Sequence, residues 1–348
     1  MRAFKLACGL LFLWGGLLLL SLNLQPDASA GPCLVTAGPI ALEEVFEASG
    51  LAVSRRHRDV LWSHNDSGNP ELLFAFDRRG TPRGRVRVPV RMRDWEDISA
   101  ARCPDGDCLY FADIGDNRSS RPDVSIYRVI EPALDAIETA PPQRFRARYA
   151  DGAHNAEAMF VIDSTVFIIT RDRTGTLYRS PIPGDSGTSM TLQRIGELGL
   201  TAVSDAEASP DGRTVAVRTS RSVLLYRSAD LIEGRTAPYF RLRIDGLREA
   251  QGEGVAVDGN ELFLAGEGGL WSRAGSLLAL RCAESALADE HAGAADSHAR
   301  HVAPLHIQLD VNAARSPHLD ALRADDRSRF VRRDEPVLQE ITTQRTAR

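Results

Sequence analysis

The sequence predicts an all-β chain built from a repeated four-stranded unit, on three observations that run in phase. The first is the phrase Gln251-Gly252-Glu253-Gly254-Val255-Ala256-Val257-Asp258-Gly259, which returns in altered form at Glu47–Val53, Glu96–Ala101, Glu157–Asp163 and Glu207–Gly212. The glutamates that open the five copies are spaced by 49, 61, 50 and 46 residues. The second is turn chemistry after the first strand, at Pro104-Asp105-Gly106, Asp163-Ser164, Pro210-Asp211-Gly212 and Asp258-Gly259-Asn260. The third is a shared third-strand phrase, Ile126-Tyr127-Arg128, Leu177-Tyr178-Arg179 and Leu225-Tyr226-Arg227. Periods of roughly 40–50 residues are those of propeller blades. The expected fold is therefore a five-bladed β-propeller, with six blades as the alternative, its ring closed by an N-terminal strand.

Apolar runs bounded by Gly, Pro, Asn and Asp place the strands. Blade one reads as 51–53, 60–63, 72–76 and 85–88, and blade two as 98–102, 109–112, 125–129 and 144–149. The insert Glu131 to Gln143, with Pro132, Pro141 and Pro142, accounts for the long 61-residue spacing. Blade three reads as 158–162, 166–170, 176–179 and 191–195, and blade four as 207–209, 214–218, 223–226 and 240–244. Blade five has only 255–257, 262–265 and 277–280, so Leu34–Ala37 is expected to supply its missing strand.

Residues 1–30 have the form of a secretory signal: Arg2 and Lys5, an apolar stretch from Leu6 to Leu22, then Ala28-Ser29-Ala30 as cleavage site. The expected location is secreted or periplasmic, free of the membrane after cleavage; an uncleaved N-terminal anchor is the alternative. The propeller is assigned to 31–285. Residues 286–348 are rich in Ala, Asp, Arg and His and read as a mostly disordered tail. Within it, 305–311 alternates like a strand and is a candidate for the outermost strand of blade five.

The net charge of −5 becomes about −6 once Arg2, Lys5 and Asp27 are removed, which argues against nucleic acid as partner. Lys5 is the only lysine, so no mature residue can form a Schiff base. Four cysteines remain, an even number for an exported chain. Cys103 and Cys108 flank a tight turn and are expected to bond, with metal binding as the alternative; Cys33 and Cys282 would then staple the ring.

In a propeller the starts of the inner strands and the ends of the second strands share one surface, and here both are polar. That places Glu96, Glu157, Glu207 and Glu253, with Asp113, as candidate ligands of a hard cation; Ca²⁺ is the expected cofactor, since it accepts six to eight oxygens. Glu47 is assigned to the solvated rim. His64 and His154 are candidate acid/base groups, and Arg171 and Arg218 candidate holders of anionic charge.

These Glu-Gly and Glu-Ala strand starts and the Ser209-Pro210-Asp211-Gly212 turn resemble those of secreted, often calcium-dependent propellers: the TolB-like, phytase/esterase-like, SdiA-regulated and gluconolactonase groups. The likeness covers residues 40–282 as a repeat pattern. Five blades with central glutamates are also similar to the calcium-activated nucleotidases, without their longer motifs. Propeller phytases use lysines as well as arginines for phosphate, and this mature chain has no lysine. The expected partner is a small-molecule or anionic ligand at the axial pocket, and the chain is expected to be a monomer. It is read as a calcium-dependent hydrolase of phosphate or other esters, or as a non-enzymatic binding or scaffold propeller.

Overall fold

The structure is a computed structural model, and it describes residues 29–30, 32–247, 249–269 and 274–284. The expected signal segment and tail, including the strand at 305–311, lie outside the described residues, apart from Ser29–Ala30. These two form β1, antiparallel to the start of β2 (Cys33–Leu42). Four antiparallel meanders follow in chain order. The first is β3 (Ala48–Val53), β4 (Val60–Asn65), β5 (Leu72–Asp77) and β6 (Pro82–Arg87). The second is β7 (Trp95–Cys103), β8 (Gly106–Asp113), β9 (Val124–Ile130) and β10 (Gln143–Tyr149). The third is β11 (Ala156–Ile162), β12 (Thr165–Thr170), β13 (Thr176–Pro181) and β14 (Met190–Glu197). The fourth is β15 (Val203–Ala208), β16 (Thr214–Thr219), β17 (Ser222–Arg227) and, after the short helix α1 (Ser228–Ile232), β18 (Phe240–Arg243).

A last group holds β19 (Gln251–Asp258), β20 (Glu261–Glu267) and β21 (Gly275–Cys282), and its sheet runs in the order β1-β2-β21-β20-β19. The position beside β21 that 305–311 was a candidate to fill is thus taken by β2, paired from Cys33↔Cys282 to Leu42↔Gly275. Both expected disulfides, Cys33–Cys282 and Cys103–Cys108, are formed. They suggest an oxidising compartment. No helix among the described residues is long and apolar enough to cross a membrane.

The first strands neighbour one another cyclically: β3 with β7, β7 with β11, β11 with β15, β15 with β19, and β19 with β3. This is a β-propeller-like arrangement, and its core follows from it. One apolar cluster fills each junction, for instance Trp62, Trp95 and Phe111 between the first two meanders and Leu51, Phe74 and Phe263 between the last group and the first. Strands covered on both faces read as unbroken apolar runs, as β12 does, whereas outer strands β10 and β18 alternate. The outer strands β10 and β14 also pair in parallel, merging the second and third meanders into one eight-stranded sheet. The 131–143 insert folds back on β6, bridging Arg87 to Glu138. Buried Glu131 receives Trp62 Nε1 at 2.7 Å and the Arg55 and Arg56 amides at 3.1 and 3.0 Å.

Strand β21 meets the segment before the first meander at Gly275, where a Cβ would stand 1.9 Å from the Val45 carbonyl oxygen. Gly275→Ala is therefore expected to cost about 1–3 kcal/mol, because a backbone atom cannot yield as a side-chain tip can. A melting temperature equal to that of the wild type would contradict this packing.

Candidate functional site

Every first strand carries a register shift at its entry, and the shift sets the site. The extra residue is Glu96 in β7 (between Trp95 and Asp97), Glu157 in β11 (Ala156 and Ala158), Ser204 in β15 (Val203 and Asp205) and Glu253 in β19 (Gly252 and Gly254). In β3 the shift spans Ser49 and Gly50. Such bulges re-aim a side chain out of the ladder. The equivalent positions around the ring are thus Ser49, Glu96, Glu157, Ser204 and Glu253. The two serines confirm the phase: Ser49 Oγ donates to the Glu96 carbonyl at 2.7 Å and Ser204 Oγ to the Glu253 carbonyl at 3.1 Å.

Glu207, expected in this ring, is three residues out of phase. It lies 1% exposed within β15, receiving Ser99 Oγ at 2.6 Å and the Ala100 amide at 2.9 Å. It belongs to a second, interior set of carboxylates that the repeat reading missed. Asp97 receives the Met159 amide at 2.6 Å, and Asp205 receives the Val255 amide at 2.5 Å. Both are fully buried, and both are held above the usual carboxylate range by burial. These acids satisfy inner-edge amides that no further strand can pair, which is the reason such charges tolerate the core. The signal was present in the recurrence of Asp one residue after the bulge, at Asp97 and Asp205.

The outer ring is acidic and crowded. A Cβ on Gly115 would lie 1.9 Å from Glu96 Oε1 and 2.5 Å from Asp94 Oδ2, so these two carboxylates converge on one glycine. Glu96 is 8% exposed and its carboxylate has no hydrogen-bond partner among the described residues. Burial first, then the facing Asp66 and Asp94 carboxylates, push it up to about 9, with Glu253 adding to the rise and Arg171 opposing it. Glu267 is pushed up to about 7 by burial, then Glu253, Asp66 and Glu47. Glu157 is ion-paired with Arg171, and Glu253 accepts Gln251 Nε2 at 3.2 Å.

The other expected residues divide. Arg171 is at the ring. Arg218 is not free to hold a ligand: 1% exposed, it donates to Glu249 and the Gly254 carbonyl, both at 2.7 Å, and to the Ala265 carbonyl at 3.2 Å. It props the bulge of β19 from beneath. Asp113 is tied to Arg121 at 2.9 Å and accepts the Asp94 amide at 3.1 Å, so it positions the 94 segment instead of standing free as a ligand. His64 is wholly buried, stacked on Trp95 with centroids 4.0 Å apart, and burial pushes it down to about 3; its ring is shut off from solvent. His154 lies against Asp151 at 3.0 Å and Tyr178 OH at 2.9 Å, and no contact among the described residues joins its side chain to the ring.

Ca²⁺ was the expected cofactor, and the groups of the ring are carboxylates and hydroxyls, the oxygen donors that Ca²⁺ takes. As the side chains stand, no three His, Cys, Asp or Glu among the described residues are drawn together tightly enough to hold a metal ion. One cause is visible: Glu157 is turned to Arg171.

No family model and no curated protein matches the chain. Among solved structures it is similar to a chain of the crystal structure of the mitotic checkpoint complex, at 11% identity and TM-score 0.33, covering 70% of this chain and 64% of that one. It is also similar to the crystal structure of the computationally designed Ika8 protein, at 9% identity and TM-score 0.32, covering 68% and 71%. Likeness this weak carries no argument about function, and the functional reading rests on the ring itself.

Proposed function

We propose that the chain is an exported five-bladed β-propeller closed by its N-terminal strand β2, and that its axial mouth binds a divalent cation, Ca²⁺. Glu96, Glu157 and Glu253 would hold it, with Ser49 and Ser204 completing the ring. The observation that carries this reading is the convergence of Glu96 and Asp94 at Gly115, with Asp66 and Glu253 adding like charge around the mostly buried Glu96, which a cation would relieve. A bound cation would supply Lewis acidity toward an ester or phosphoester of the ligand. Arg171 is the cation-side arginine within reach of anionic charge; Arg218 is excluded by its burial. A second reading is favoured by the Arg171–Glu157 pair: a scaffold propeller whose ring is neutralised by arginine and takes no metal.

Calorimetry on metal-stripped protein separates the two. Ca²⁺ binding is expected at micromolar to sub-millimolar concentration, lost in Glu157→Gln and Glu253→Gln and kept in Glu207→Gln. No binding at millimolar Ca²⁺ refutes the cation reading. An ester and phosphoester screen with and without chelator then tests hydrolysis, which is abandoned if no turnover depends on the cation.

A further inference from the structure

We propose that the recess between the end of β16 and the start of β19 binds a neutral, polyhydroxylated ligand of monosaccharide to disaccharide size, with Glu249 and Arg221 as its polar contacts. The inference does not rest on the cation-binding reading. The recess has a volume of about 540 Å³, which is within the range of small-molecule sites. Among the described residues its walls carry both signs of charge in equal number, Arg171, Arg218 and Arg221 against Asp245, Glu249 and Glu253. A ligand of either net charge would meet three like charges there. A hydroxyl meets none, and it can both donate to a carboxylate and accept from a guanidinium. Ile244, Leu247 and Ala250 add an apolar wall for the C–H face of such a ligand.

One carboxylate oxygen of the recess is idle. The Glu249 side chain is 7% exposed, and Arg218 holds only its Oε2, at 2.7 Å. Its Oε1 is buried with no hydrogen-bond partner among the described residues, which a ligand hydroxyl donating to it would relieve. Arg218, itself fixed by the Gly254 and Ala265 carbonyls, orients this carboxylate without meeting the ligand. Gly252 lets it reach, since a Cβ there would stand 1.6 Å from Arg218 Nη2. The other charges are engaged: Arg171 by Glu157, Asp245 by Arg243, and Glu253 by Gln251. The exception is Arg221, on the exposed turn between β16 and β17, whose guanidinium has no hydrogen-bond partner among the described residues and is open to ligand hydroxyls. Thr219 Oγ1 fixes that turn by accepting the Ser222 amide at 3.1 Å. The two walls are also tied together: the Ile244 amide donates to the Arg221 carbonyl at 2.9 Å, and the Leu247 and Glu249 amides to the Ile244 and Leu247 carbonyls at 2.9 and 3.0 Å. The backbone that carries acceptor and donor is thus set before the ligand arrives, which lowers the ordering cost of binding.

The test is saturation-transfer NMR and calorimetry on the metal-stripped full chain. The probes are D-glucose, D-galactose, D-mannose, myo-inositol, maltose and trehalose, with D-glucuronate and D-glucosamine as charged comparators. At least one neutral probe is expected to bind, and several-fold more tightly than either charged sugar. Glu249→Gln is expected to weaken that binding about tenfold, because a hydrogen bond to a carboxylate is exchanged for one to an uncharged amide. Arg221→Met should weaken it several-fold, and its exposed position lets it report on the recess even where Glu249→Gln fails to fold. Absence of binding by every neutral probe at tens of millimolar overturns the inference. Tighter binding of glucuronate or glucosamine overturns it too, by assigning the recess to a charged ligand. So does neutral-probe binding that Arg221→Met and folded Glu249→Gln leave unchanged, which places the sugar elsewhere. All probes are measured without metal, so each outcome is separate from that of the Ca²⁺ titration.

Discussion

Replacing Cys33 and Cys282 together by serine is expected to lower the unfolding free energy by about 5 kcal/mol, and the melting temperature by about 10–20 °C. The bridge spans a sequence separation of 249, so in the chain-entropy model it removes the large closure entropy of a long loop from the unfolded chain. It also fixes a pairing of strands far apart in sequence: Cys33 and Cys282 are register partners at the start of β2. Without it, β2 keeps its ladder to β21 but must find a partner that lies far away in sequence. The other bridge gives the internal control. Cys103–Cys108 spans a separation of 5 across a hairpin already paired at Cys103↔Gly106, and its removal should cost no more than about 2 kcal/mol. Equal losses for the two pairs, measured by denaturant unfolding under non-reducing conditions, would show that the pairing of β2 with β21 does not depend on the bridge. Reductant should bring the wild type to the stability of a variant lacking both bridges and leave that variant unmoved.

The meanders were legible because each signal was local. Turn chemistry, apolar runs and the tyrosine phrase of the third strands all report on neighbours in sequence, and each expected strand outside the tail overlaps an observed one. What the sequence hid was phase. The inner strands begin earlier than the apolar runs suggest, at Trp95, Val203 and Gln251; in the first two, polar residues are buried by the adjacent strands, while Gln251 and Gly252 pair with β20 without being covered. Taking the glutamate as the marker therefore selected Glu207, three residues past the bulge, and Glu47, two before Ser49. The ring of two serines and three glutamates obeys the symmetry better than five glutamates do. A bulge leaves no composition of its own, and a serine at a repeat position looks like a lapse in the pattern. The same limit explains His64 and Arg218. Their neighbours, Trp95 and the β19 bulge, come from other parts of the chain, and only the folded arrangement shows that both are buried.

That difference between ring and interior is open to measurement, since Glu96→Gln and Glu207→Gln should change the same stability curve while only one alters cation binding. Both carboxyls are raised in the folded protein, Glu96 to about 9 and Glu207 well above 4.5, chiefly by burial. A raised acid binds its proton more tightly when folded. Its contribution to stability is complete below its ordinary value near 4.5 and is lost as pH climbs through the folded value. Metal-free wild-type protein should accordingly be more stable at pH 5 than at pH 9, with Asp97, Asp205 and Glu267 acting in the same direction. Glutamine keeps the shape and has no charge to bury. Metal-free Glu96→Gln should therefore exceed the wild type in melting temperature above pH 8 and match it near pH 5. Glu207→Gln should flatten the curve likewise, offset by a constant loss if its amide fits the Ser99 and Ala100 contacts poorly. Calcium then discriminates them. Binding at pH 7 must expel the Glu96 proton, so titrations in buffers of different ionisation enthalpy should count close to one proton released in the wild type and in Glu207→Gln, and none in Glu96→Gln. A wild-type melting curve that rises steadily from pH 5 to pH 9 would show that these carboxyls are charged in the fold, and that the ring is neutralised by its arginine alone.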